Sequence, residues 1–489
     1  MSTLRRIVKN GGVTFIGDNL LKVISTVIVI LIARYLGDVE YGKFTFALSF
    51  TGLFLILMDL GTRILIVREI SQKRNEAPKI VANVLMLKFI TSILVYVLII
   101  IIAFILNYSK ETLIAISIAA LGLVFDSLST TVTSIFQAYE RLEIPALTKF
   151  IRIVLRFSIT VPLLIIGKNF LVILAVYAGV QFLDFLVSLI ICYSKFVKLI
   201  FDFDKKLIIY LVKKSFPFLL SGIFVTVYFR IDITLMSKLA PTFLNGFYSN
   251  ASRDAVIGWY SSAYNLLDVA SSLPGAFSAA ILPVAVVYFQ QSREKLVRLY
   301  SLAVKSLTYI SIPLAVGTTL LADKIIYLLY GAKYVNAALP LKILIWTIVP
   351  LCMNYMLGAV MIAIHEEKKG VIILFLNALV NIVLNLFLIP KYSLYGAALA
   401  TVLTEVFYFS GYYYIISRSF YQLNIASLLA KPAIASAFMG IFIYYFISLN
   451  VFVLIVLGIS IYSIIMLLLR ALNSGDKELI KRIFVEKKI

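Results

Sequence analysis

The chain has 489 residues, of which 62% are hydrophobic and 14% are charged, whereas a soluble globular protein is roughly 45–50% apolar. This composition excludes an ordinary soluble domain and predicts a polytopic membrane protein. The net charge of +21 does not indicate nucleic-acid binding, because Lys and Arg collect in the cytoplasmic loops of membrane proteins. We therefore expect membrane lipids, and no nucleic acid, as partners.

Apolar stretches of the length that a bilayer-crossing helix needs recur along the whole chain. Fourteen of them are centred on residues 13–36, 43–62, 80–106, 112–137, 146–166, 170–193, 215–240, 255–289, 301–322, 341–363, 370–390, 394–417, 432–449 and 451–470. The predicted fold class is an all-α polytopic membrane protein with about 14 transmembrane helices.

The connections between these spans differ in charge and so predict the orientation. With a cytoplasmic N-terminus, cytoplasmic segments hold roughly 32 Lys and Arg and outer segments hold about 8, which is a strong bias by the positive-inside rule. The even number of spans then places both termini in the cytoplasm. We expect a multi-pass protein of the cell (plasma or inner) membrane.

Two segments of the chain repeat the same spacing. Gly42 and Ala47 open the second span, and Gly258 and Ala263 open the eighth at matching positions. Six spans per repeat is an even number, so the two copies have the same orientation and are related by an axis along the membrane normal, as in parallel-repeat transporters. The predicted domains are a six-helix bundle at 1–212, a second six-helix bundle at 213–425, and two extra helices with a tail at 426–489.

Motifs for the common enzyme chemistries do not occur in the sequence. There is no GK[ST] phosphate loop, HExxH, CxxC or GxSxG, and Cys192 and Cys352 have no spaced partners. We therefore expect no enzyme activity, no catalytic residue, no cofactor and no metal site.

Charged residues inside the spans are the candidate site residues, because burying a charge at mid-membrane costs about 2.5–3.5 kcal/mol and marks function by default. Arg230 and Asp232 lie near the middle of the seventh span, two positions apart, so they point to different helix faces. An arginine that has no neighbouring acid suits an anionic, phosphate-like ligand, which its guanidinium binds through two hydrogen bonds.

Other spans carry further charges, which have two interpretations. They are Asp18 and Lys22 in the first span, Asp59 one turn before Arg63, and Lys88 in the third span. Either these residues line a cavity, or Asp18 pairs with Lys22 and Asp59 with Arg63 inside the bundle. Asn377, Asn381 and Asn385 form a polar stripe in the eleventh span. Hydrogen bonding between helices is the first interpretation of that stripe, and contact with sugar hydroxyls is the second.

Several segments resemble one family of transporters. They read ARYLGDVEYGKFTFA, MDLGTRILIVREIS, YFRIDITLMSKLA, IIYLLYGAKYVNAA and NALVNIVLNLFLIPKYSLYGAALATVLTE. With these segments the chain resembles the polysaccharide-unit flippases (Wzx type) of the multidrug/oligosaccharidyl-lipid/polysaccharide exporter superfamily. The connection from 241 to 254 is longer than the short turn of that family.

The resemblance implies a function and a site. Such proteins move a polyprenyl-diphosphate-linked oligosaccharide from the inner to the outer leaflet by alternating access, and cationic residues of a central cavity meet the diphosphate. By position these cations are Lys22, Lys88 and Arg230, with Arg34 and Arg63 nearer the two mouths. Asp18 and Asp232 are the candidates for coupling to H⁺ or Na⁺, and we expect a monomer.

Two other transporters remain as alternatives. A lipid II flippase for peptidoglycan also uses a cationic cavity and is the second choice. A multidrug cation antiporter of the same superfamily would need acidic residues at mid-cavity.

Overall fold

The computed structural model describes residues 3–197, 203–244, 248 and 251–471, and for residues 3–16 and 18–20 it describes the backbone only. The described chain is helical throughout; its one β contact is an isolated bridge between Leu244 and Tyr248. The helices are α1 (Thr3–Gly52), α2 (Leu55–Asp59), α3 (Thr62–Gln72), α4 (Ala77–Ile105), α5 (Lys110–Ala138), α6 (Glu143–Ile165), α7 (Phe170–Lys195), α8 (Lys205–Leu239), α9 (Arg253–Gln291), α10 (Arg293–Tyr330), α11 (Ala338–Leu344), α12 (Ile348–Ala363), α13 (Glu367–Ser419), α14 (Ile425–Tyr445) and α15 (Val451–Leu468).

The predicted fold class is confirmed. Eleven helical segments of the described chain are long and apolar enough to cross a membrane. Two of them carry a break that divides them into two crossings, at Gly37 in α1 (φ 79°) and at Ser393 in α13 (φ 53°). With α6, whose 23 residues also suffice for one crossing, the described helices agree with the predicted fourteen spans.

Short polar residues begin several of these helices, because a side-chain oxygen satisfies a backbone N–H that has no partner in the first turn. Ser109 accepts a hydrogen bond from Thr112 at the start of α5, and Asn169 accepts one from Val172 at the start of α7, each at 3.2 Å. Asp204 accepts hydrogen bonds from Lys206 and Leu207 at the start of α8. These residues separate apolar runs that would otherwise have no defined ends.

Three boundaries differ from the prediction. The second span, expected over 43–62, ends as a regular helix at Gly52, after which the Phe54 N–H donates to the Thr51 carbonyl, three residues back. Leu60 and Gly61 adopt left-handed conformations (φ 53° and 65°) and separate α2 from α3. The seventh span, expected from 215, begins at Lys205. The thirteenth, expected over 432–449, is α14 at Ile425–Tyr445. Hydropathy locates the apolar centre of a helix, but a helix also continues through polar residues.

The chain divides into two compact units. The first comprises Met1–Ser262 and Leu374–Ala397, and the second comprises Ala263–Ile373 and Ala398–Ile489. In the first unit α8 packs against α1, α2, α3 and α4. In the second unit α10 packs against α12 and α14. This division follows the contacts within each unit and does not test whether two bundles are related by symmetry. The predicted division into two related bundles at 212/213 therefore stays a prediction.

One end of the first unit has a continuous apolar core. Leu65 and Ile66 of α3, Ile80 of α4, Phe136 of α5 and Leu211 of α8 are all buried there. Because α3 and α8 share this core, the start of α8 has a fixed position relative to the first bundle.

Candidate functional site

Arg230 lies on the exposed side of α8, over a glycine. A Cβ atom added to Gly52 of α1 would come within 2.9 Å of Cδ and Nε of Arg230, so the missing side chain leaves the space that the guanidinium occupies. The described residues place no acidic group within ion-pair distance of this guanidinium. That Arg230 binds an anionic ligand stays a prediction.

Asp232 has the opposite environment on the same helix. Its side chain is buried, with 3% of the residue exposed. The Tyr260 hydroxyl of α9 donates to one carboxylate oxygen, and the backbone N–H of Ile233 donates to the other at 2.8 Å. The two-residue spacing thus separates a free cation from a fixed, hydrogen-bonded carboxyl group.

Lys88 is fully buried, with 0% of its side chain exposed, and forms an ion pair with Asp59 of α2. In this conformation the Lys88 ammonium is therefore bound to Asp59 and is not presented to a ligand, as the sequence had predicted it to be. The alternative pairing of Asp59 with Arg63 is not what the structure shows either, since Lys88 takes that place. Arg63 itself is exposed on α3 and acts electrostatically on Lys88.

The remaining cations of the predicted cavity lie on α1. Lys22 is half-buried and Arg34 is exposed, and each interacts with other groups of the protein. The Asp18 side chain lies outside the described residues. The structure does not bring Lys22, Lys88 and Arg230 together as three free cations; of the three, Arg230 is the one for which the described residues provide no ion pair.

The asparagine stripe is buried. At most 2% of Asn377, Asn381 or Asn385 is exposed. The Asn385 amide nitrogen donates to the carbonyl and side-chain oxygens of Asn381, at 3.0 and 3.1 Å. Both bonds stay within α13, and contact of this stripe with sugar hydroxyls stays a prediction.

A group of charges on α5, α6 and α7 was not predicted as a site. Arg152 of α6 lies 3.5 Å from Asp126 and 3.6 Å from Asp184. Arg156, one turn further, donates to Gln181 at 2.8 Å and lies over the Tyr177 ring. The predicted fifth span, 146–166, contains both arginines, and their spacing of four residues puts them on one helix face. Their partners lie on α5 and α7, so that spacing alone does not identify the network.

Side chains at the end of α8 and the start of α9 contact other connections that the sequence predicts on the outer side. Lys238 at the end of α8 donates to the Leu106 carbonyl at 2.6 Å and lies 3.9 Å from the centre of the Tyr108 ring. Trp259 of α9 donates to Asp38, just after the break at Gly37, at 3.0 Å. The ends of α8 and α9 are therefore tied to the first bundle at this side.

The matching glycines of the two repeats meet in the same region. A Cβ atom at Gly42 would clash with the backbone of Asp254, and one at Gly258 would clash with the backbone of Asp38. The spacing that the sequence repeats thus corresponds to two positions of close backbone approach, which only glycine allows.

A tyrosine of the connection between α8 and α9 contacts the break in α13. The Tyr248 hydroxyl lies 2.6 Å from the Ser393 hydroxyl and donates to the Pro241 carbonyl at 2.9 Å. The Tyr248 ring packs edge-on against Trp259. The tyrosine therefore links this long connection to the break inside α13.

The described residues include no group of three or more His, Cys, Asp or Glu side chains that could hold a metal ion. Cys192 and Cys352 are both buried and unpaired with each other. The candidate site residues of the described chain are therefore charged and polar side chains on apolar helices.

Comparisons with known proteins give two family matches. A family model for polysaccharide biosynthesis proteins matches residues 7–289. A model for the lipid II flippase MurJ matches residues 242–463. The first match covers more than half of the chain.

Curated relatives are distant. The chain is 24% identical over 204 residues to the lipid II flippase MurJ of Bacillus subtilis, which corresponds to 41% of this chain and 37% of that protein's length. It is 22% identical over 411 residues, 78% of each chain, to an uncharacterized membrane protein of Methanocaldococcus jannaschii.

Solved structures show the same fold. Lipid II flippase MurJ in an inward closed conformation has a TM-score of 0.78 at 18% identity, covering 96% of this chain and 100% of that one. An inward-facing multidrug resistance MATE transporter of the MOP superfamily has a TM-score of 0.65 at 17% identity, covering 84% and 95%. At these identities the likeness concerns the fold alone.

Proposed function

Because this chain belongs to the polysaccharide biosynthesis protein family, within the superfamily of membrane flippases and transporters that the sequence resembles, we propose that it moves polyprenyl-diphosphate-linked oligosaccharide units from the cytoplasmic to the outer leaflet by alternating access. The substrate combines a lipid tail that stays in the bilayer with a glycan and a diphosphate that do not cross hydrocarbon unaided. The protein works as a monomeric transporter in the cell membrane, with both termini in the cytoplasm and without enzymatic chemistry.

The observation that carries the proposal is the state of Arg230. A buried arginine without an acid normally finds a partner, because an uncompensated charge is costly at membrane depth. Arg230 instead lies exposed over Gly52, while the carboxyl group nearest in sequence, Asp232, is held by Tyr260. A guanidinium in this state can bind a diphosphate through two parallel hydrogen bonds.

Outward movement of such a substrate does not need ATP. An inside-negative potential drives an anion outward with about 2.3 kcal/mol per charge for each 100 mV. Coupling to H⁺ or Na⁺ would add to this, and Asp232 is the described carboxyl group that we assign to that role. Asp232→Asn should then weaken the dependence of transport on an ion gradient while leaving the protein in the membrane.

The test measures glycan export in a host that lacks its own flippase. Arg230→Ala should abolish export, and Arg230→Lys should reduce it partially, because lysine keeps the charge but loses the two-point geometry. Arg141→Ala is the matched control, since Arg141 is exposed and, among the described residues, forms an ion pair with Glu143 alone. All variants are compared at equal membrane levels by immunoblot. Export at the wild-type level by Arg230→Ala would overturn the assignment.

A lipid II flippase is the second candidate, and the MurJ model over residues 242–463 favours it. The two substrates share a polyprenyl diphosphate but differ in the sugar. Expression in a host depleted of its lipid II flippase, beside the glycan-export host, separates the two. Growth rescue in the first host without export in the second would assign peptidoglycan precursors as substrate.

A further inference from the structure

The beginning of α8 extends beyond the hydrocarbon layer. The helix has 35 residues, which at 1.5 Å per residue gives a length of about 52 Å, against a hydrocarbon thickness of about 30 Å. Its first ten residues contain Lys205, Lys206, Lys213 and Lys214, all of them exposed. This segment therefore lies at the level of the lipid headgroups.

Contacts with α3 fix the orientation of the first ten residues of α8. Leu211 is buried in the apolar core together with Leu65 and Ile66 of α3. Beside it, the Tyr210 hydroxyl donates to Glu69 of α3 at 3.0 Å. Because these contacts hold one side of the helix, Lys205, Lys206 and Lys213 point away from Leu211. Lys214 lies on the same side as Tyr210, with its ammonium 6.0 Å from the centre of the Tyr210 ring, and is exposed.

The acidic groups nearby are already engaged. Glu69 is buried and bonded to Tyr210, and Glu76 lies 3.6 Å from Lys73. Asp204 lies 2.8 Å from the Lys79 ammonium, and the hydrogen bond from Lys79 holds the pKa of Asp204 below its usual range. Within the described residues the four lysines and the exposed Arg68 of α3 form no ion pair.

Apolar side chains are exposed among these lysines and just beyond them. Ile209, Val212 and Phe216 are 44%, 38% and 58% exposed. Exposed apolar groups beside lysines are typical of a helix at a membrane interface, where the apolar groups enter the acyl layer and the ammonium groups reach the phosphates. A soluble polyanion would leave the apolar groups in water.

We propose that the surface formed by Lys205, Lys206, Lys213 and Lys214 of α8, with Arg68 of α3, binds the headgroups of anionic phospholipids in the adjacent leaflet. The exposed lysines suit the phosphate of an anionic phospholipid, and the exposed apolar side chains suit its acyl chains. The partner is the bulk anionic lipid of the membrane. The site is separate from Arg230, which lies about 16 residues further along α8, or about 24 Å.

The experiment places a reporter in the surface of the full-length protein. The Ile209→Trp variant is reconstituted in phosphatidylcholine bilayers that contain a minor fraction of brominated lipid. Quenching of the fluorescence of the introduced tryptophan reports which lipid contacts this turn of the helix. The signal of the protein without Ile209→Trp is subtracted, to remove the native tryptophans. Brominated phosphatidylglycerol should quench at least about threefold more than brominated phosphatidylcholine at equal fraction, with the difference lost as salt rises from about 0.1 M to about 1 M.

The lysines are tested by removing their charges. Changing Lys205, Lys206, Lys213 and Lys214 together to Gln should equalise the quenching by the two lipids. The matched control changes four exposed lysines of predicted outer connections, Lys110, Lys168, Lys333 and Lys391, to Gln and should keep the preference. Equal quenching by both lipids in the unmodified surface, or equal loss in the control, would overturn the proposal. Displacement of brominated phosphatidylglycerol by millimolar pyrophosphate would also overturn it, and would assign the surface to the diphosphate of a transport substrate.

Discussion

Arg230 and Asp232 show what spacing along a helix can predict about single residues. Two positions correspond to different faces, and the structure places the first residue at the surface and the second inside, bonded to Tyr260. The partner of Asp59 could not be predicted in this way. Lys88 is 29 residues away in sequence, and only the packing of α2 against α4 brings the two together.

The Asp59–Lys88 pair gives a prediction about stability. Asp59→Asn leaves the buried Lys88 ammonium without its counter-charge, which typically costs about 3–5 kcal/mol. We expect a marked fall in the apparent melting temperature of the purified protein in detergent. The double variant Asp59→Leu with Lys88→Met removes both charges and should melt near the wild type. A single variant as stable as the wild type would show that Lys88 finds another partner.

Hydropathy identifies nearly every helix, but not the contacts between helix ends. The breaks at Gly37 and Ser393 separate spans that the sequence already distinguishes by the polar residues between them. The link from Tyr248 to Ser393 joins residues 145 positions apart, and no local pattern encodes such a distance. The network of Arg152 with Asp126 and Asp184 was missed for the same reason, since its members lie on three helices.

The Tyr248–Ser393 contact predicts coupling between the α8–α9 connection and the break in α13. Tyr248→Phe and Ser393→Ala should each lower the melting temperature modestly, and the double variant should lower it by less than the sum, because both remove the same hydrogen bond. Tyr392→Phe is the control, since Tyr392 is adjacent and 51% exposed. Additive effects of the two single changes would mean that the contact contributes nothing.

The whole chain has a predicted orientation that rests on the distribution of Lys and Arg. Single cysteines at Lys110 and Lys206 should lie on opposite sides, with Lys110→Cys labelled by an impermeant maleimide on intact cells and Lys206→Cys only after permeabilisation. The native cysteines are both buried and serve as the background. Labelling of both positions from outside would require a different number of crossings between them.

Pro217 gives α8 a mechanical property. A proline inside a helix removes one backbone hydrogen bond and crowds the preceding turn, so helices bend there more readily than elsewhere. Arg230 lies 13 residues beyond Pro217, a lever arm of about 20 Å. A swing of about 10° at the proline carries the guanidinium through about 3 Å, which is the length of one hydrogen bond. A small bend at Pro217 is therefore enough to bring the guanidinium to the phosphate that we propose it binds, or to move it away, while the helix on each side of the proline stays regular.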